Sequence, residues 1–170
     1  PTPPVTITEP SENAPCRVAI IVDDIGLNMT AVKRLAAINA NLTFSVMPQL
    51  AGSRPAAQFL SARGREIMLH QPMESMGGLP LGPGAIMDAM QPAEARSILD
   101  ENLDSLPMVR GVNNHEGSRV TQNQALMGAV MGELKNRGLF FVDSLTTGAL
   151  VGREAAREAG VPCAARQVFL

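Results

Sequence analysis

The chain first shows a regular pattern at Arg17-Val-Ala-Ile-Ile-Val-Asp-Asp-Ile-Gly26, where five apolar residues run into two carboxylates. Because β-branched side chains dominate Val18 to Val22, this run predicts a strand buried on both faces of a parallel sheet. Side chains at the carboxyl end of such a strand face the crevice where ligands bind. Asp23 and Asp24 repel each other there, so the pair favours a site for a cation or a shared proton over a simple turn.

The rest of the chain alternates between predicted strands and predicted helices. Apolar runs predict strands at 42–47, 66–69, 109–113, 139–142 and 164–170. Helical periodicity with cap and stop residues predicts helices near 28–38, 54–63, 91–103, 121–137 and 151–159. This alternation indicates successive right-handed βα units and therefore an α/β fold with a parallel sheet. Polar residues follow nearly every strand, which favours a (β/α) barrel with one mouth over an open sheet.

Composition indicates one globular domain at 17–170. The 170 residues are 45% hydrophobic and 18% charged, with a net charge of −2 and no basic cluster, so we expect no nucleic-acid partner. No apolar run approaches the length of a membrane span. Residues 1–16 predict a flexible linker, and the absence of an initial Met indicates removal of an upstream segment. Cys16 and Cys163 lack metal-motif spacing, and a disulfide between them stays open.

The two histidines of the chain are candidate metal ligands. His70 and His115 each come directly after a predicted strand, and together with the carboxylate pair they form a plausible Asp-His-His set. Such a set leaves one coordination position for water, as a catalytic zinc site requires. Between His70 and the third helix lies an aperiodic segment rich in Gly and Pro, 71–90. Its length predicts a functional loop over a site.

Four short stretches carry a resemblance to a known family: Ile21-Val-Asp-Asp-Ile-Gly26, Leu69-His-Gln-Pro-Met-Glu74, Gly111-Val-Asn-Asn-His-Glu-Gly-Ser-Arg119 and Phe140-Phe-Val-Asp-Ser-Leu-Thr146. They resemble the divergent polysaccharide deacetylases, which are related to the NodB-like carbohydrate deacetylases. The resemblance implies an irregular parallel (β/α) barrel, a divalent metal that is most often zinc, and an N-acetylated glycan substrate. It also implies a periplasmic or other extracytoplasmic location.

The resemblance also implies roles for single residues. Asp24, His70 and His115 would bind the metal, and Asp23 would be the general base. Asp143 would act in catalysis by orienting a ligand or the base through a hydrogen bond; the alternative is a turn residue at the end of its strand. The usual deacetylases take both histidines from one closely spaced motif, whereas here they come from two strand ends.

Three further residues are candidates for substrate binding. Asn114 and Ser118 would orient the histidine loop or bind a substrate hydroxyl, while Asn113 would satisfy loop backbone groups. Glu74 is a substitute ligand, a partner of a ligand or an exposed loop acid.

No third histidine is left to give a proton to the leaving amine, because both histidines are assigned to the metal. Either a later His-bearing element lies beyond Leu170, which would leave the barrel incomplete at its C-terminus, or the protein is a non-catalytic module. Such a module would bind an envelope glycan or a protein partner. A phosphoacceptor receiver domain needs a lysine after its fifth strand. It is disfavoured, because the only lysines, Lys33 and Lys135, lie on predicted helices.

Overall fold

The computed structural model describes residues 17–148 and 151–170, in which six strands alternate with five α-helices. The strands are β1 Ile20–Ile25, β2 Leu42–Val46, β3 Glu66–Met73, β4 Gly111–Glu116, β5 Phe140–Asp143 and β6 Cys163–Ala165. The helices are α1 Met29–Ala36, α2 Ser53–Ser61, α3 Pro92–Ser105, α4 Gln124–Arg137 and α5 Val151–Ala159. The expected linker at 1–16, and with it Cys16, lies outside the described residues.

The described strands form one parallel sheet whose spatial order follows the chain, from β1 to β6. Each crossover therefore moves one strand further in the same direction, as in (β/α) barrels. A doubly wound open sheet reverses direction at its ligand-binding crevice. The parallel α/β fold expected from the sequence is confirmed. Among the described residues, β1 and β6 are the two edges of the sheet.

Local sequence accounts for the ends of several helices. The Asn28 side chain accepts N–H bonds from the first turn of α1, and Asn123 does the same for α4 through the N–H of Leu126. The fourth helix was predicted from residue 121, but Thr121 lies in a short 3₁₀ turn before it. Gly138 ends α4 in the left-handed conformation that favours glycine. Among the described residues, no helix has both the length and the apolar character needed to cross a membrane.

The two faces of the sheet differ in polarity. On one face the register aligns Leu69, Val112 and Phe141, which are fully buried in the hydrophobic core with residues of the helices. Because side chains alternate along a strand, the neighbouring positions point to the other face. There the register aligns His70 with Asn113, near the carboxyl ends of their strands. The polar face therefore brings together residues from different strands at one end of the sheet.

The edge strands differ from expectation. The apolar run in β1 predicted burial on both faces, but Ile20 is 42% exposed because β1 pairs only with β2 in the described sheet. At the other edge, β6 spans only Cys163–Ala165, whereas 164–170 was predicted. The run of β-branched residues therefore predicted the strand and not its position in the sheet.

The strands β3 and β4 are longer than predicted. Their parallel ladder pairs His70 with Asn113 and continues through Pro72 opposite His115. Both histidines therefore lie among the last paired residues of the two strands, and not after the strands end. Hydrogen bonding between the strands holds their backbones extended, and this places the two imidazoles on a rigid scaffold.

Candidate metal centre

Three donor atoms converge at the carboxyl ends of β1, β3 and β4. The Oδ1 atom of Asp24 lies 3.1 Å from Nδ1 of His115 and 3.4 Å from Nε2 of His70, and the two ring nitrogens are 3.1 Å apart. In a tetrahedral zinc site with bonds of about 2.0–2.1 Å, neighbouring donors are about 3.3 Å apart. The three atoms match three corners of such a site. The residues therefore fit a divalent cation, with the fourth corner left to water or substrate.

An irregularity in β1 brings both carboxylates to this cluster. In a regular strand, adjacent side chains point to opposite faces of the sheet. The β1–β2 register shifts between Val22 and Ile25, and Asp24 has a φ of 58°, in the left-handed region. Asp24 therefore turns toward the histidine nitrogens, while Asp23 stays beside the other nitrogen of His70, with 3.7 Å between Oδ1 and Nδ1.

Backbone strain is concentrated at this end of the sheet. In the described residues, the non-glycine positions with positive φ are Asp24, Gln49, Glu116 and Leu145. Each lies at or just after the carboxyl end of a strand, and the ends of parallel strands share one edge. A left-handed non-glycine residue costs on the order of 1 kcal/mol or more. Such strain collects at functional sites, where the surrounding structure enforces it.

The electrostatics of the cluster leave its negative charge uncompensated. The hydrogen bond from His115 is the largest of the causes that hold the pKa of the Asp24 carboxyl well below its ordinary range. The same contact with Asp24 raises the pKa of His115. Among the described residues, the hydrogen-bond and ion-pair partners of Asp23 and Asp24 include no lysine or arginine. Two adjacent carboxylates with no arginine or lysine among these partners favour binding of a cation.

Sequence reasoning missed the role of Asn113. Its side chain is 2% exposed, with Oδ1 lying 2.8 Å from Nδ1 of His70 and accepting the hydroxyl of Ser45. Its Nδ2 donates to Oδ1 of Asp23 at 2.9 Å. Asn113 thus links three strands next to the donor atoms. The pairing of His70 with Asn113 across β3 and β4 identifies this role of Asn113. The pairing is known only once the strands are in register, so the sequence alone does not show it.

Two predicted substrate-binding residues hold the segment between β3 and α3. The Oε2 atom of Glu74 accepts the N–H of Asp88 at 2.8 Å, and its Oε1 lies 3.4 Å from Nε of Arg119. The hydroxyl of Ser118 accepts the N–H of Met76 at 2.9 Å. Glu74 is not one of the three converging donors. The substrate-binding roles of Glu74 and Ser118 stay predictions.

Asn114 and Asp143 connect the ends of β4 and β5. The Oδ1 atom of Asn114 accepts the N–H of Ser144 at 2.9 Å, and its backbone carbonyl accepts the Ser144 hydroxyl at 2.7 Å. Asp143 is 3% exposed and its Oδ1 accepts the N–H of Leu145 at 2.9 Å. Burial raises the pKa of Asp143. Their described hydrogen bonds do not reach the three donors, so the substrate role of Asn114 and the catalytic role of Asp143 stay predictions.

The segment between β3 and α3 is anchored by buried amides. Gln71 and Asn102 each donate to the carbonyl of Gly84, at 2.9 and 2.8 Å, and Asn102 also donates to the Gln71 side chain. Ile86 is fully buried and forms a bridge with Met73. These contacts tie the segment to β3 and α3.

A separate cavity lies at the opposite, amino-terminal end of β3 and β4, lined in part by Arg65, Glu66 and Arg110. The Arg65 guanidinium already donates to the carbonyl oxygens of Ala40 and Ile38, at 2.5 and 2.8 Å. It is therefore occupied in holding the chain before β2. None of the converging donor residues lines this cavity, and the chemistry of the donor set identifies the other end of the sheet as the site.

A parallel α/β sheet with an Asp-His-His donor set at its carboxyl edge defines an α/β protein with a candidate divalent-metal site. The chain belongs to the divergent polysaccharide deacetylase family, whose model matches residues 20–170. The family resemblance noted from the sequence is thereby confirmed.

Two bacterial proteins are similar to this chain in sequence. The chain is 30% identical over 154 residues to the uncharacterized protein YibQ of Escherichia coli K12, covering 91% of this chain and 48% of that protein. It is 29% identical over 157 residues to an uncharacterized protein of Haemophilus influenzae, covering 92% and 56%. The chain thus spans about half the length of the curated relatives it matches.

A solved structure supports the fold. The crystal structure of the uncharacterized protein ATU2773 from Agrobacterium tumefaciens C58 matches with a TM-score of 0.84 and 25% identity. The match covers 95% of this chain and 67% of that one. Together with the family match, this structure supports the parallel α/β architecture.

Proposed function

We propose that this chain is a metal-dependent hydrolase that removes acetyl groups from N-acetylated envelope glycans, with zinc as its divalent metal. One observation carries the proposal: a second carboxylate, Asp23, lies beside the donors Asp24, His70 and His115. A site that only binds a cation needs its ligands and nothing more. A hydrolase also needs a base next to them, and Asp23 supplies it.

The surroundings of Asp23 suit a general base. Its Oδ1 accepts the amide of Asn113, while its Oδ2 has no described partner, and the side chain is 34% exposed. Asp23 can therefore accept the proton of a water that attacks an acetamide carbonyl, and return it to the leaving amine. A divalent cation held by the three donors supplies Lewis acidity to this reaction. Asp24 and the two histidines, at the ends of three strands, hold their donor atoms within bonding reach of one cation.

The direct test is release of acetate from N-acetylglucosamine oligomers by the purified chain, with zinc and after chelation. We expect release with zinc, loss on chelation, and loss in Asp24→Asn. Asp104→Asn is the matched control, because this exposed aspartate on α3 pairs with Arg137 and lies outside the donor set. Acetate release that survives both chelation and Asp24→Asn would contradict the proposal.

A second candidate is a module that binds an envelope glycan or protein without turnover. It is favoured by exposed apolar side chains on the segment between β3 and α3, where Met76 is 63%, Leu79 58% and Met87 37% exposed. Apolar groups of this kind commonly contact a partner. Binding of glycan that Asp23→Asn leaves unchanged, with no acetate released by the unaltered chain, would favour this candidate.

The periplasmic or other extracytoplasmic location belongs to the same proposal, because acetylated glycan polymers of the envelope lie outside the cytoplasmic membrane. Cell fractionation tests it. Recovery of the protein with cytoplasmic markers would contradict it.

A further inference from the structure

We infer that Asn113 is a positioning residue that sets the hydrogen-bonding pattern of the site: it selects the Nδ1–H tautomer of His70 and keeps Asp23 from becoming a metal ligand. The inference deepens the proposed function and rests on the metal-binding role that it gives to His70. Its basis is geometric. Asn113 is buried and its side chain contacts a residue of each of the other three strands nearest the site, namely Asp23, Ser45 and His70.

The orientation of the Asn113 amide follows from its contact with Asp23. An ionised carboxylate only accepts hydrogen bonds, so the Asn113 atom 2.9 Å from Oδ1 of Asp23 has to be the Nδ2 donor. The amide oxygen therefore faces His70, at 2.8 Å from Nδ1. Because an amide oxygen only accepts, Nδ1 of His70 carries the hydrogen. The Ser45 hydroxyl donates to the same oxygen.

The tautomer of His70 has a direct consequence for the donor set. A neutral imidazole with its hydrogen on Nδ1 has its lone pair on Nε2. Nε2 is the nitrogen that faces Asp24 at 3.4 Å and His115 at 3.1 Å. The nitrogen directed at the cluster is thus ready to bind a cation. A reversed amide would place two acceptors face to face at Asp23 and a hydrogen on the wrong side of His70.

The same amide separates the roles of the two adjacent carboxylates. Asp24 contacts the ring nitrogens that face the cluster, whereas Asp23 is held by Asn113 on the Nδ1 side of His70. The sheet register pairs His70 with Asn113 directly, so this contact is set by the β3–β4 ladder. Asn113 therefore holds the base beside the donors and outside the coordination set.

The test is nitrogen-15 NMR of the imidazoles in the metal-free chain, together with zinc titration. Only two histidines contribute signals. We expect the unaltered chain to show His70 as the Nδ1–H tautomer. In Asn113→Leu, which keeps the size and removes the polar atoms, His70 should lose this preference and zinc affinity should fall about 10- to 100-fold. Asn113→Asp keeps an oxygen facing Nδ1 of His70, so it should keep the tautomer. It also brings a second carboxylate to Asp23, and a proton shared between the two should block the base and abolish acetate release.

Asn102→Leu is the matched control. Asn102 is also a fully buried amide with several hydrogen bonds, and it contacts neither histidine. It should lower stability and leave the His70 tautomer and the zinc affinity of the folded chain unchanged. The inference is overturned if folded Asn113→Leu keeps the Nδ1–H tautomer with zinc affinity within about threefold of the unaltered chain.

If Asn113→Leu does not fold, Asn113→Asp decides: loss of the Nδ1–H tautomer in that variant overturns the inference. The tautomer is read without metal or glycan. The tautomer of His70 could therefore change in Asn113→Leu even if the unaltered chain releases no acetate. That result would contradict the proposed deacetylase activity and support the role of Asn113.

Discussion

Two clusters of carboxylates in this molecule differ in whether their negative charges are paired with arginines. The helix cluster joins α3 to α4: Glu133 accepts Nε of Arg137 at 2.8 Å and Nε of Arg96 at 2.9 Å, and Arg137 also pairs with Asp100 and Asp104. Every carboxylate in it contacts an arginine. The arginines thus pair with all of its carboxylates, and the ion pairs connect α3 to α4.

The strand-end cluster, made of Asp23, Asp24, His70 and His115, has two carboxylates and no arginine or lysine among its described partners. It also contains a left-handed aspartate, whereas the helix cluster has regular helical backbone. Backbone strain and unpaired charge both lower the stability of the folded chain, so folding alone does not account for them. The cluster without its own counter-charge is therefore the one suited to bind a cation from solution.

The comparison is tested most severely by Asp23→Asn. If Asp23 is the base, acetate release should fall about 10²- to 10⁴-fold, because that is the usual contribution of general base catalysis. Zinc affinity, measured by calorimetry, should stay unchanged, because Asp24 supplies the carboxylate donor. Asp24→Asn should lose both. Equal loss of zinc in the two variants would show that the carboxylates share one role.

The second test removes the counter-charge from the helix cluster. Arg137→Met leaves Glu133, which is 5% exposed, without its main partner and should cost about 3 kcal/mol in the free energy of unfolding. Burial by itself would raise the pKa of Glu133, but hydrogen bonding, with Arg137 first, holds it below normal. Urea unfolding followed by far-UV circular dichroism measures the loss. Zinc affinity should not change.

Arg157→Met, which removes an exposed arginine on α5, is the control for that variant. It should cost less than about 0.5 kcal/mol. If both arginine variants lose the same stability, the helix cluster does not stabilise the fold as argued.

The architecture could be predicted because hydrophobic periodicity is a local property. The six strands, their parallel direction and the polar residues at their carboxyl ends follow from runs such as Val18 to Val22 and from the spacing of the helices. The donor residues could be named because histidines are few and the family motifs are specific.

What could not be predicted depends on contacts between strands. The register shift that brings Asp24 to the same cluster as Asp23, and the pairing that sets Asn113 beside His70, are properties of the assembled sheet. Two adjacent asparagines look equivalent in sequence, yet alternation sends Asn113 to the donor face and Asn114 to the end of β5.

A third test uses the pH dependence of zinc binding. The Asp24 contact raises the pKa of His115, and zinc needs the unprotonated Nδ1 of that ring. Below the raised pKa each bound zinc displaces one proton, so affinity should fall about tenfold per pH unit. Competition with a chromophoric chelator across pH 5–8 measures the slope. Affinity independent of pH in the acidic range would exclude His115 as a ligand.

Without metal, the same pair should contribute to stability only in a limited pH range. The raised pKa of His115 makes its contribution full below its ordinary value of 6.5 and lost as pH rises through the folded-state value. The lowered pKa of Asp24 makes its contribution present above 3.8 and lost as pH falls toward the folded-state value. The stability lost in His115→Gln should therefore be largest between pH 3.8 and 6.5, and smaller at pH 9 in urea unfolding.

The smallest effect is expected at Asp143, a buried carboxylate that belongs to neither cluster. Burial is the main cause that raises its pKa, so the ionised form destabilises the folded chain. By linkage, this destabilisation is absent below the unfolded value of 3.8 and grows as pH rises through the raised value. Asn at this position keeps an oxygen for the N–H of Leu145 and carries no charge.

Asp143→Asn should therefore equal the unaltered chain in stability at low pH and exceed it at pH 7 by at most about 1 kcal/mol. Arg153 and Arg166 contribute charges that favour ionised Asp143, which keeps the gain small. Urea unfolding at both pH values measures the difference, and Asp88→Asn is a control carboxylate at another strand-to-helix segment. Acetate release by the same variant tests the catalytic role. A folded Asp143→Asn that is less stable at pH 7 and inactive would show that the ionised carboxylate is needed at the site, despite the cost of burying it.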